Sequence, residues 1–237
     1  MTVLNPLDLV GLSFFVTSMA LLASTVFFFL ERFSVKAKWH TSLTVAGLIT
    51  GIAFIHYLYM RGVWIAGFGS PLTYRYVDWF ITVPLQIVEF YLILKIIGKT
   101  PVSLFWKLLT ASVVMLVAGY VGEAGLAPEL HSFIIGMVAW LYILYEIFFG
   151  EGGSLSSKGK NYSAKLAYTS LKWLVTIGWA IYPIGYLFGM YGGESGSDML
   201  NITYNLADFV NKIAFGLIIW AAAKKESAQA SFSRPKR

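Results

Sequence analysis

The sequence predicts an all-α membrane protein, a bundle of seven transmembrane helices. Three observations point there. Of its 237 residues, 57% are hydrophobic and only 13% charged, against about 25% charged in ordinary soluble domains. Seven apolar stretches recur along the chain, each near the ~20 residues that cross a hydrocarbon core. Lys and Arg gather in alternate connections, the pattern that membrane topology imposes.

The first stretch, 7–30, follows Met1-Thr2-Val3-Leu4-Asn5-Pro6-Leu7-Asp8. That start carries no basic region and the stretch is too long for a signal peptide, so it reads as a span. The second, 40–61, contains His56 and Tyr57 and stops ahead of Gly67-Phe68-Gly69-Ser70-Pro71. The third, 72–95, holds the densest polar set and ends at Gly98-Lys99-Thr100-Pro101. The fourth and fifth, 102–121 and 130–150, close at Gly150-Glu151-Gly152-Gly153. The sixth, 164–190, is interrupted by Pro183 and stops at Gly192-Gly193-Glu194-Ser195-Gly196. The seventh, 199–223, carries Asp208 and Lys212. Gly, Pro and charge mark each break.

Short connections make successive helices antiparallel neighbours in one domain, 1–225, and no internal repeat is evident. Residues 226–237 read as a basic, disordered cytoplasmic tail. Arg32, Lys36 and Lys38, then Lys95, Lys99 and Lys107, then Lys158, Lys160 and Lys165 mark the odd-numbered connections. The even-numbered ones carry Arg61 as their lone basic residue, beside Glu123, Glu129, Glu194 and Asp198. The N-terminus is therefore expected outside and the C-terminus in the cytoplasm.

With no cysteine, disulfides, thiolate metal sites and cysteine nucleophiles are excluded. The net charge of +6 follows the loops rather than a binding face, which argues against a nucleic-acid partner. No phosphate-cradling glycine loop and no metal-ligand spacing of His and Glu occurs.

Lys212 lies deep in the last span, one turn after Asp208. A charge at membrane depth costs about 2.5–3.5 kcal/mol on insertion scales, so it is kept where it is paired and used. A lysine amine in an apolar pocket is also the group that condenses with carbonyls. The third span presents Arg75, Asp78, Thr82, Gln86 and Glu89. Thr82 lies about 40° and Glu89 about 20° from Asp78 on the helical wheel, with about 16 Å of rise between the two carboxylates. Two carboxylates on one face, either side of the bilayer centre, suit proton transfer through a nitrogen held between them. For that role Glu89 holds its proton at rest. Asp78 and Asp208 are the candidate counter-charges, with Arg75 one turn outward to balance the second. Trp179, Tyr182, Pro183 and Tyr186 form one stripe at helical spacing, suited to boxing a flat chromophore. Pro183 is expected to kink its helix. Any one of these polar residues alone could be a packing contact; the ordered set with Lys212 is not explained that way.

These residues resemble the microbial rhodopsins, and among them the proteorhodopsins. The resemblance runs over essentially the whole chain. It rests on Arg75-Tyr76-Val77-Asp78-Trp79-Phe80-Ile81-Thr82-Val83-Pro84-Leu85-Gln86-Ile87-Val88-Glu89, on Asp208-Phe209-Val210-Asn211-Lys212, on Trp179-Ala180-Ile181-Tyr182-Pro183 and on His56-Tyr57. It implies all-trans retinal joined to Lys212 and light-driven outward proton pumping. Asp78 becomes acceptor and counterion, paired with His56; Glu89 becomes donor and Asp208 the second counterion. Trp79, Trp179 and Tyr182 become pocket walls, with Tyr57, Met115, Gly119, Trp140 and Pro183 also assigned to the pocket. Gln86, where the family carries Leu or Gln, implies the blue-absorbing branch. The family also implies a multi-pass protein of the bacterial inner membrane, assembled as a pentamer or hexamer.

Three departures narrow this. Phe15 stands where relatives often have a tryptophan facing a neighbour's histidine. Phe133 replaces the glycine of carotenoid-binding relatives and argues against an antenna pigment. No paired glutamates suggest a release group. A photosensor with a slow cycle is the competing expectation, and Glu89 speaks against it. Asp78 disfavours chloride transport, and Asp78, Thr82 and Glu89 differ from the Asn, Asp and Gln expected of a sodium pump. A retinal-free transporter leaves Lys212 unexplained.

Overall fold

Residues 5–232 are described by the computed structural model of the chain. Among them, seven helical segments are long and apolar enough to cross a membrane, and the protein is a multi-pass membrane protein. α1 covers Leu9–Glu31, α2 His40–Ile65, α3 Leu72–Ile97 and α4 Val102–Glu123. α5 covers Glu129–Phe148, α6 Glu151–Lys158, α7 Tyr162–Trp173, α8 Ile181–Tyr191 and α9 Gly196–Phe232. Successive helices lie side by side and α1 meets α9, closing the bundle. α3 also touches α7, and α2 touches α9, so α3 and α9 stand towards the middle.

Local chemistry sets the boundaries. Asp8 caps α1 by accepting from the Gly11 amide at 2.8 Å, which starts the helix at Leu9 rather than at 7. Pro71, Pro101 and Pro128 immediately precede α3, α4 and α5, where a missing N–H costs nothing. α2 outruns its expected end by four residues, running through Gly62 and stopping just before Gly67, whose φ of 78° only glycine adopts easily.

Two expectations need correction. The chain breaks at Phe149–Gly150 as expected, but Glu151-Gly152-Gly153, expected as part of that break, opens the short helix α6. Gly152 and Gly153 are buried, and a Cβ would strike the Tyr168 hydroxyl at the first and the Phe148 carbonyl at the second. These glycines permit close packing instead of ending structure. The last helix also overruns the expected start of the tail at 226. Glu226 accepts from Trp39 Nε1 at 2.9 Å and from Asn161 Nδ2 at 3.3 Å, and it pairs with Lys38. Helix therefore persists to Phe232; the remaining tail, 233–237, lies outside the described residues.

The sixth span is built from α7, a π-helical segment Leu174–Gly178, and α8. Pro183 has no N–H to give the Trp179 carbonyl, and Tyr182 N–H turns to that carbonyl at 3.1 Å instead. The break in the hydrogen-bond ladder expected from Pro183 thus falls in the residues before it, next to the π segment.

The bundle is polar inside. Arg75, Asp78, Thr82, Gln86 and Glu89 on α3, and Asn201, Asn205, Asp208, Asn211 and Lys212 on α9, are all buried. Val77, Phe80 and Ile81 on α3, and Ile202, Leu206 and Phe209 on α9, face outward. Lipid takes the apolar face and the charges face one another.

Candidate functional site

The Lys212 amine lies between two buried carboxylates, 2.5 Å from Asp78 Oδ2 and 3.0 Å from Asp208 Oδ1. α3 supplies one and the preceding turn of α9 the other. Asp208 is also fixed by neutral donors: Tyr57 Oη at 2.8 Å, Tyr182 Oη at 2.8 Å and Trp79 Nε1 at 3.2 Å. Four donors saturate that carboxylate, whereas Asp78 Oδ1 has no hydrogen-bond partner. Asp78 is the carboxylate with an acceptor site left over.

Arg75 is buried and touches neither carboxylate. Its guanidinium donates to Tyr57 Oη at 3.1 Å, Asn201 Oδ1 at 3.1 Å and Asn205 Oδ1 at 2.8 Å. It meets Asp208 through the Tyr57 hydroxyl, which the two groups share. Tyr57 accordingly belongs to this network and not to a cavity wall. Thr82 also turns away from the carboxylates, its Oγ1 donating to the Asp78 backbone carbonyl at 3.0 Å. His56 Nδ1 stands 3.5 Å from Asp78 Oδ1 and 3.0 Å from the Ile52 carbonyl. The histidine is a neighbour of Asp78, shared with its own helix, and 21% of its side chain remains exposed on the flank of the bundle.

Beside this cluster runs a cavity bounded by Trp79, Gln86, Met115, Trp140, Trp179 and Tyr182. Gly119 and Pro183 also line it, and a Cβ at Gly119 would press on the Tyr76 hydroxyl. Gln86 Nε2 is buried without a partner at the cavity wall. Trp79 and Tyr182 line the cavity and bond Asp208, so they join it to the lysine. An apolar, aromatic-walled cavity beside a lysine flanked by two carboxylates fits a retinal-type chromophore.

Glu89 is fully buried farther along α3, with neither carboxyl oxygen hydrogen-bonded. It lies on the face of α3 that also carries Asp78, as the wheel predicts.

Several polar residues escaped sequence reasoning. Asn201 and Asn205 hold Arg75, and their i, i+4 spacing ahead of Asp208 was the available signal. Glu123, read as a loop charge, accepts instead from Tyr76 Oη at 2.5 Å and Tyr204 Oη at 2.6 Å. It also lines a cleft with Glu129, Ser70 and Ser197. Its place at a helix end beside a loop concealed this. Among the described residues no cluster could hold a metal ion.

A family model described as bacteriorhodopsin-like protein matches residues 8–226. The chain is 57% identical to a blue-light absorbing proteorhodopsin from Gamma-proteobacterium Hot 75m4 over 225 residues, 94% of this chain and 89% of that protein. It is 55% identical to a green-light absorbing proteorhodopsin from Gamma-proteobacterium EBAC31A08, covering 96% and 91% respectively. The crystal structure of a blue light-absorbing proteorhodopsin from Med12 superposes with a TM-score of 0.83 at 56% identity, covering 92% of this chain and 100% of that one.

Proposed function

The chain belongs to the bacteriorhodopsin-like family, and on that premise we propose that it is a blue-absorbing, light-driven pump that exports protons. It is a transporter and not an enzyme. The observation that carries the reading is the Lys212 amine held between Asp78 and Asp208, with Trp79 and Tyr182 joining Asp208 to the aromatic cavity alongside. Lys212 would hold all-trans retinal through a Schiff base, and the bound group would supply light absorption and photoisomerisation.

The protein's own groups do the rest. In a low-dielectric site the Lys212 nitrogen needs a counter-charge, and Asp78 and Asp208 provide it. Asp208 is saturated by Tyr57, Tyr182 and Trp79, so it serves as the fixed counterion. Asp78, with one free oxygen, takes the proton. Tyr57 and the Asn201–Asn205 pair hold the Arg75 guanidinium on the external side of that carboxylate. Glu123, between Tyr76 and Tyr204 on the cleft, is the next carboxylate outward. Glu89, buried without a cation beside it, keeps its proton at rest and returns one to the nitrogen. Trp79, Trp179, Met115, Trp140 and Pro183 confine the chromophore.

The N-terminus faces outward and the C-terminus the cytoplasm of a bacterial inner membrane, with the basic residues inside. The protein assembles as a pentamer or hexamer. His56, partly exposed on the flank, and Phe15, 40% exposed beneath the Arg61 guanidinium, fit a face shared between copies. Phe133 lies against Tyr186 with ring centroids 5.2 Å apart, which supports the absence of an antenna pigment.

Light should reversibly acidify an unbuffered suspension of cells expressing the chain with added retinal, and a protonophore should abolish the change. A blue-absorbing pigment without acidification would overturn the pump and favour a photosensor. Glu89→Gln should slow return of the proton to the nitrogen about a hundredfold, the usual scale for losing a positioned acid; flash spectroscopy at neutral pH reads it. Gln86→Leu should shift absorption towards green, because the carboxamide dipole at the cavity wall is lost. An unchanged spectrum would remove Gln86 from colour tuning.

A further inference from the structure

The π segment and Pro183 of the sixth span each free one carbonyl, and both are held by side chains from other helices. Trp179 N–H reaches back to the Leu174 carbonyl at 3.3 Å, so the Val175 carbonyl loses its ordinary α-helical donor. Trp140 of α5 fills that place, Nε1 donating to it at 3.2 Å. Tyr182 N–H serves the Trp179 carbonyl that Pro183 cannot, so the Gly178 carbonyl is freed in turn. Asn211 of α9 donates Nδ2 to it at 2.8 Å. The absence of a side chain at Gly178 allows this approach, since a Cβ there would strike Asn211 Oδ1.

Both latches reach the chromophore site. Asn211 is the residue before Lys212, and Trp140 lines the cavity. We propose that Asn211 and Trp140 are positioning residues that hold the sixth span closed at Leu174–Gly178 and release it when the chromophore site changes shape. The swing of α7 then opens the cytoplasmic route by which Glu89 is resupplied. The trigger rests on the retinal reading above; the latch itself is a property of the chain.

The sequence contains no cysteine, so pairs of introduced cysteines can carry spin labels uniquely. Lys99→Cys at the end of α3 and Leu166→Cys on α7 are both exposed and report on the cytoplasmic half. Leu130→Cys on α5 and Tyr191→Cys on α8 are exposed beyond the hinge and serve as control. Pulsed electron resonance on the purified full chain, dark and after freezing under light, gives both distances.

Asn211→Ala and Trp140→Phe should each raise the dark population of the widened cytoplasmic distance about fivefold, the scale of one hydrogen bond. Each should shrink the light-induced change and leave the control pair at its parent distance. Trp140→Phe keeps an aromatic wall, so it remains informative if Asn211→Ala does not fold. Dark distributions identical to the parent in the variants that fold would overturn the latch, as would equal widening of both pairs, which signals general loosening. If the parent forms no pigment, the retinal reading fails, while the dark comparison still decides the latch.

Discussion

Lys212→Ala should give a colourless protein when expressed with added retinal, with no absorption band in the visible and no light-driven acidification. The amine is the one buried side-chain nitrogen that lies against both Asp78 and Asp208 among the described residues. Without it the cavity keeps its walls but loses the covalent attachment and the positive charge that two buried carboxylates require. Asp208 retains Tyr57, Tyr182 and Trp79 as donors; Asp78 retains little. Breaking a buried pair by removing one partner costs about 3–5 kcal/mol, so a lower unfolding temperature should accompany the lost colour. An absorption spectrum after retinal addition decides the matter, and a variant that still forms a pigment would refute the assignment of Lys212.

Asp78→Asn should retain pigment and lose transport. The chromophore keeps Lys212 as its anchor and Asp208 as a counter-charge. The neutral carboxamide, however, supplies neither a negative charge nor a ready proton acceptor. Weaker charge localisation narrows the optical gap, so absorption moves to longer wavelength. Light-driven acidification should fall about a hundredfold or more, the range for removal of a positioned proton-transfer group. Normal transport in this variant would refute Asp78 as acceptor and transfer the role to Asp208. The saturated hydrogen bonding of Asp208 argues against that outcome.

Most of the bundle and the chemical centre were legible in the sequence, for a common physical reason. Spans are legible because an apolar run of sufficient length has few other uses. Asp78, Glu89, Asp208 and Lys212 are legible because a charge inside a span is too costly to be incidental. What escaped was decided by packing between distant segments. Asn201 and Asn205 carry no charge and looked ordinary until Arg75 was seen between them. Glu123 lies where a solvated loop residue would, and only the convergence of Tyr76 and Tyr204 marks it. Gly152 and Gly153 looked like punctuation because a glycine that permits contact and one that ends a helix are alike in a single sequence. The reach of Thr82 and the indirect position of Arg75 depend on side-chain rotamers, which helical-wheel geometry does not fix.

The concentration of Asn201, Asn205, Asp208, Asn211 and Lys212 on one buried face of α9 bears on how the protein is made. This helix leaves the ribosome after the other six spans, and alone in lipid it would expose two charges and three carboxamides. Each charge at the bilayer centre opposes insertion by about 2.5–3.5 kcal/mol, and the partners that relieve this belong to α2, α3 and the sixth span. Insertion of α9 is therefore coupled to its docking against a preassembled six-helix body. The residues proposed as the photochemical centre thus also make the insertion of this span depend on a correctly packed bundle, before any chromophore is bound.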